Sequence, residues 1–97
     1  WKNRNAEISI YFAKENWQNT IQATDTLNLI MEYGFKELNL HRLWVEIFSL
    51  SKENIILFTK HKFVKEGILR DKVWRDGKWW DSQIYSMIVD DYLKIYL

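Results

Sequence analysis

Cysteine and proline are both absent from this 97-residue chain, and glycine occurs only three times. Without cysteine there is no disulfide, no thiol nucleophile and no thiolate metal site, although the absence identifies no compartment. Without proline-rich or glycine-rich tracts nothing reads as a linker, and no internal repeat or low-complexity segment divides the chain, so residues 1–97 are read as at most one domain. No apolar run is long enough to span a membrane. No secretory signal is visible either, which leaves the cytoplasm as the default. The formal net charge of +1 supplies no strong field, and no basic face is organised for nucleic acid. Neither nucleic acid nor a membrane is therefore expected as a partner. His41 and His61 are the only histidines; with no HExxH spacing they read as turn and helix-end residues, and no metal is expected.

What is present is globular in kind: 47% hydrophobic and 28% charged residues. A chain this short buries only about two thirds of its unfolded surface, so its margin of stability is thin. The organising stretch is Glu7 to Leu38. Ile8, Ile10 and Phe12 alternate with Glu7, Ser9 and Tyr11, which predicts a short strand over Glu7–Phe12. A polar loop over Ala13–Ala23 follows. Leu27, Ile30, Met31, Gly34, Phe35 and Leu38 then fall on one face of a 3.6-residue period, predicting a helix from about Ala23 to Leu38. A strand that feeds a helix through a loop leaves the first helical N–H groups pointing at that loop, an arrangement suited to phosphate.

Leu43 to Phe48, an apolar run broken only by Glu46, predicts a buried strand and hence a right-handed βαβ unit. Ser51 is placed to cap a second helix over Lys52–His61. Asp76-Gly77 supplies the positive φ angles of a tight turn, predicting a hairpin of Lys65–Trp74 and Trp79–Ile88. The closing DDYLKIYL is too short to classify. The order β-α-β-α-β-β makes the chain mixed α/β.

These residues resemble the second half of the GNAT N-acetyltransferase fold, in particular its branch of ribosomal-protein alanine and aminosugar N-acetyltransferases. The likeness runs from about Ala6 to Met87. It is carried by ATDTLNLIMEYGFKELNLHRLWVEIF, by the short helix ending TKHKF, and by VKEGILRDKVWRDGKWWDSQIYSM. In that family a Gln/Arg-x-x-Gly-x-Gly/Ala signature before the long helix holds the pyrophosphate of coenzyme A. Here the corresponding residues are Gln18, Asn19, Thr20, Ile21, Gln22 and Ala23, followed by Thr24. The glutamine and alanine match, but Ile21 stands where glycine belongs. A β-branched residue is an outlier at positive φ, and a left-handed backbone costs a non-glycine residue roughly 1–2 kcal/mol.

The resemblance implies acetyl-coenzyme A as cosubstrate and an amine as acceptor. It places the pantetheine arm between the Glu7–Phe12 and Leu43–Phe48 strands, makes Ile10, Tyr11 and Phe12 cofactor-binding residues, and has backbone N–H groups of the first strand stabilise the oxyanion. It puts Glu46 where a strand glutamate acts as general base. A carboxylate in an otherwise apolar strand is short of water, which suits it to take a proton from an ammonium; the alternative is a solvated carboxylate at a splayed edge. Phe58 falls where many members have a tyrosine that protonates the departing thiolate, and phenylalanine has no proton to give. Lys62 replaces a usual glycine, and Ser51 a common asparagine. Lys60, Lys62 and Lys65 are either solvated or set to meet the adenosine 3′-phosphate. Trp79 and Trp80 lie on opposite faces of their strand, so one packs inward and at most one offers a stacking platform. Asp81 matches an aspartate of the family's last strand, and hydrogen bonding within the sheet explains it equally.

The resemblance also implies an N-terminal half that is not found here, and the chain begins at Trp1 rather than Met, as expected of a fragment or processed product. The Glu7–Phe12 strand would then present an open edge. Two functions follow: an acetyl-coenzyme A-dependent N-acetyltransferase impaired by truncation, or a non-catalytic remnant. The remnant would pair through that edge with a second copy or a complementing chain.

Overall fold

The computed structural model describes residues 3–8 and 21–96. In order they form strand β1 (Asn5–Glu7), helix α1 (Ile21–Glu32) continuing into a π-helical turn (Tyr33–Glu37), and strand β2 (Arg42–Phe48). Helix α2 (Lys52–Lys60), strands β3 (Val64–Arg75) and β4 (Lys78–Ile88), and helix α3 (Val89–Tyr96) complete the chain. The four strands make one sheet in the order β1-β2-β4-β3. β1 runs parallel to β2, while the other neighbouring pairs are antiparallel. The mixed α/β class agrees with expectation; α3 adds an element that the order β-α-β-α-β-β lacked.

A single core joins one face of the sheet to the helices. Leu43, Val45 and Ile47 of β2 and Tyr85 and Met87 of β4 meet Leu27 and Met31 of α1, Phe35 of the π-turn, Leu57 and Phe58 of α2, and Tyr92 of α3. The burial of β2 alternates strictly, so the strand is packed on one face only, not on both as its near-continuous apolar run suggested. The reason is that Trp44, Glu46 and Phe48 face away from the helices and remain half-buried. On that outer face Arg42 pairs with Glu66. Hydrogen bonds from Ser86, then from Arg42, hold the Glu66 carboxyl below the usual carboxylate range.

Several boundaries differ from expectation for local reasons. The first described strand is Asn5–Glu7, whose register is set by pairing with Arg42–Trp44; residues 9–12 of the expected Glu7–Phe12 strand lie outside those described. α1 starts two residues before Ala23. Its end is π-helical, with the N–H of Leu38 donating to Tyr33 O at 2.9 Å and that of Leu40 to Gly34 O at 2.9 Å. The wider turn breaks the 3.6-residue phase, which puts Leu38 out at 36% exposure and brings Leu40 in at 2%. Gly34 faces β2 closely: a Cβ there would lie 3.2 Å from Leu43 Cδ1 and 3.4 Å from Leu40 Cδ1.

Ser51 precedes α2 but makes no side-chain cap hydrogen bond; its carbonyl instead accepts from the N–H of Ile55 at 3.1 Å. The helix stops one residue before His61. There the N–H of Lys62 donates to Thr59 O at 2.9 Å and that of Phe63 to Phe58 O at 3.0 Å, the paired bonds of a Schellman end. Phe58 and Phe63 close it with an edge-on contact at 5.0 Å. Lys62 sits at φ 70°, so the missing glycine that its sequence position suggested is a real left-handed site, at a cost of roughly 1–2 kcal/mol. Asp76 (φ 55°) and Gly77 (φ 79°) form the expected hairpin turn, and the strands around it extend slightly further than predicted.

Candidate active site

The candidate site lies beside the last described contact between β1 and β2, where the N–H of Ile8 donates to Trp44 O at 2.7 Å. β2 continues to Phe48, and past Trp44 that side of it has no strand partner among the described residues. A groove of about 260 Å³ opens there, walled by Glu7 and Ile8 on one side and by residues 45–48 on the other. Ser51, Asn54 and Phe58 of α2 also line it. Glu46 and Phe58, two residues singled out from sequence, are thus brought to one cavity.

Glu46 is not in the dry surroundings expected of it. It lies on the sheet face away from the helices, with its side chain 23% exposed, and Oε1 accepts a hydrogen bond from Lys72 Nζ at 2.8 Å. Phe58 is 2% exposed. Asn54 brings a different property: its Oδ1 is buried with no hydrogen-bond partner among the described residues. A buried acceptor left unpaired costs about 1–3 kcal/mol, and the groove it lines is where a ligand N–H can relieve that cost. The secondary amides of a pantetheine arm carry such donors.

The other predicted positions divide in two. Ile10, Tyr11, Phe12, Gln18, Asn19 and Thr20 lie outside the described residues. Ile21, Gln22, Ala23 and Thr24 form the first turn of α1 rather than the end of a loop. Ile21 is therefore helical, and is not among the residues at positive φ; the backbone strain expected of it is absent because the helix begins earlier than the family signature implied. Ala23 is 1% exposed and belongs to the core. No acidic side chain occupies that first turn, so no side-chain charge there opposes an anion at the helix N-terminus.

Lys60, Lys62 and Lys65 are all exposed, as is His41. His61 is buried and its Nδ1 lies 2.9 Å from Leu57 O, an ordinary helix-end contact. Neither Trp79 nor Trp80 packs inward: Trp79 is 54% exposed and meets Trp74 across the hairpin. Trp80 lies edge-on to Phe48 on the outer face. Asp81 serves the sheet, its Oδ1 accepting from the N–H of Asp71 at 3.0 Å. Sequence reasoning missed Lys72 and Asn54. Lys72 carries no motif; Asn54, a polar residue one turn into an apolar helix, was the available signal.

A second, more open groove of about 460 Å³ is bounded by Ala6, Ile8 and Leu43 and by Leu29, Ile30 and Tyr33 of the first helix and its extension; β1 beside it has no second strand partner among the described residues. Among the described residues there is no cluster of acidic, histidine or cysteine side chains that could hold a metal ion. No described helix is long and apolar enough to cross a membrane.

Residues 1–84 match the family described as Acetyltransferase (GNAT) domain. The uncharacterized N-acetyltransferase YoaA of Bacillus subtilis (strain 168) is 32% identical over 87 residues, covering 90% of this chain and 49% of that protein. The spermidine N(1)-acetyltransferase of Vibrio cholerae serotype O1 is 28% identical over 90 residues, covering 93% and 51%. A crystal structure of the spermidine/spermine N-acetyltransferase SpeG from Vibrio cholerae in complex with manganese ions superposes with a TM-score of 0.86 at 25% identity, over 99% of this chain and 56% of that one. The chain spans about half the length of the relatives it matches. By its sequence match and by its fold, the chain belongs to the GNAT acetyltransferase family.

Proposed function

We propose that the chain contributes to acetyl-coenzyme A-dependent transfer of an acetyl group to a primary amine, with the groove between β1 and β2 taking the pantetheine arm. The observation that carries this reading is one groove, lined by Glu7, Ile8 and residues 45–48, that brings together Glu46 and Asn54, whose buried Oδ1 has no hydrogen-bond partner among the described residues. In this reading Gln18–Thr24, the segment that leads into α1 and forms its first turn, holds the pyrophosphate. The family resemblance assigns contacts with the thioester to Ile10, Tyr11 and Phe12. Glu46 takes the proton of the acceptor ammonium, and Phe58 packs against the arm without donating a proton. The acceptor class is a polyamine, an aminosugar or a protein N-terminus. The spermidine acetyltransferases among the relatives make a polyamine the first to try.

Titration calorimetry with acetyl-coenzyme A tests the reading. Dissociation constants below about 100 μM, or roughly 5.5 kcal/mol, with a matching rise in melting temperature, are expected. No heat and no shift at millimolar ligand would remove it.

A second reading rests on the edge of β1, which has no second strand partner among the described residues, and on the apolar groove beside it. An exposed strand edge flanked by an apolar surface invites β-augmentation by another segment. In this reading the chain acts by association with a second copy or a complementing chain and transfers nothing. One similar structure is titled a dodecameric spermidine N-acetyltransferase from Vibrio cholerae. A monomeric sedimentation profile together with rapid hydrogen exchange along β1 would count against it.

A further inference from the structure

Lys72 holds the position that an acceptor amine would take. Its Nζ lies 2.8 Å from Glu46 Oε1, within proton-transfer distance of the residue assigned as base, and Glu46 lines the groove assigned to the thioester arm. The placement depends on an irregularity in the sheet. Leu69 pairs with Ser82 and Val73 with Trp80, so residues 70–72 of β3 stand opposite Asp81 alone. The bulge is fixed by Asp71, which sits at φ 49° and whose N–H is held by the Asp81 carboxylate. A bulge of this kind re-aims a side chain. Here it breaks the alternation of β3 and allows Lys72 to reach Glu46. The Lys72 side chain remains 47% exposed, so nothing locks it into the pair.

We propose that Lys72 is a self-acetylation site. The inference rests on the reading that the groove binds acetyl-coenzyme A and that Glu46 is its base. Glu46 takes one proton from the Nζ ammonium, and the resulting amine attacks the thioester carbonyl. The C–N bond forms, the C–S bond breaks, and the second N–H proton passes through water to the departing thiolate. The products are an acetamide on Lys72 and free coenzyme A. The acetamide carries no charge, so the ion pair is lost and Glu46 is uncovered for an external amine.

The purified protein is incubated with acetyl-coenzyme A, and acetylation at each lysine is followed by peptide mass spectrometry, beside a calorimetric measurement of acetyl-coenzyme A binding. Lys72 is expected to be acetylated about tenfold or more faster than the exposed Lys65 and Lys78, because its amine is already positioned. The rate per molecule should not change on dilution, and E46Q should slow it by about 10²-fold. In K72R, incorporation should fall to the level of the other lysines. Binding of acetyl-coenzyme A with uniform acetylation across the lysines overturns self-acetylation alone. Absence of binding overturns both this proposal and the function on which it rests.

Discussion

Glu46→Gln is expected to lower acetyl transfer to an external amine by about 10²–10⁴-fold, the range that loss of a general base produces, with little change in coenzyme A affinity. The substitution keeps the shape of the side chain in the groove, so the cavity and its Asn54 neighbour are preserved, but an amide cannot take a proton from an ammonium. An amine acceptor is almost wholly protonated near pH 7, since alkylamine pKa values lie near 10. The deficit should therefore narrow as pH rises and the acceptor loses its proton unaided. Release of the coenzyme A thiol reports the rate without background from the protein, which contains no cysteine. A rate in E46Q within a factor of a few of the parent at neutral pH would show that Glu46 does not act as the base.

Leu27→Ala should destabilise the fold by about 2–5 kcal/mol, as truncation of a buried leucine does. Leu27 is 0% exposed and belongs to the central cluster. Small domains are stable by about 5–15 kcal/mol, and this one, with a single sheet packed on one face, should stand at the lower end. The variant is expected to be partly unfolded at room temperature. Two residues on, Leu29 is 66% exposed, so Leu29→Ala should move stability by no more than about 0.5 kcal/mol. Denaturant titration of the two proteins measures both effects. Equal losses would mean that α1 presents a different face to the sheet.

The parts of the fold that were legible in sequence are those governed by local chemistry. Asp76-Gly77 demands positive φ at both positions, and the hairpin follows; the helical period of Leu27, Met31 and Phe35 selects the buried stripe. What local pattern could not show was decided at a distance. The parallel pairing with Arg42–Trp44 defines β1, and the π-turn shifts the helix phase at its last turn. The closing helix is fixed by Tyr92, which meets Phe35 at 4.9 Å, while its more conspicuous Leu93 and Ile95 stay outside. The site divides in the same way. Glu46 stood out because it interrupts an apolar strand, and Phe58 because it occupies a position with a chemical precedent. Lys72 could not be found, since its reach depends on a bulge held by Asp71 and Asp81.

The sheet order sets a sequence of assembly. β3 and β4 are joined by a two-residue turn, so their pairing requires little loop closure. β1 must find Arg42–Trp44 across the whole of α1, and that entropy is lost before any contact compensates it. The hairpin is therefore expected to nucleate folding and β1 to arrive last. The groove lined by Glu7 and Ile8 on the β1 side then exists only in the final state and is the first part to open. Amides of residues 5–8 should exchange with deuterium well ahead of those of residues 82–87. A ligand that spans the groove would act as the clasp of the fold, slowing that exchange most where the chain is held least.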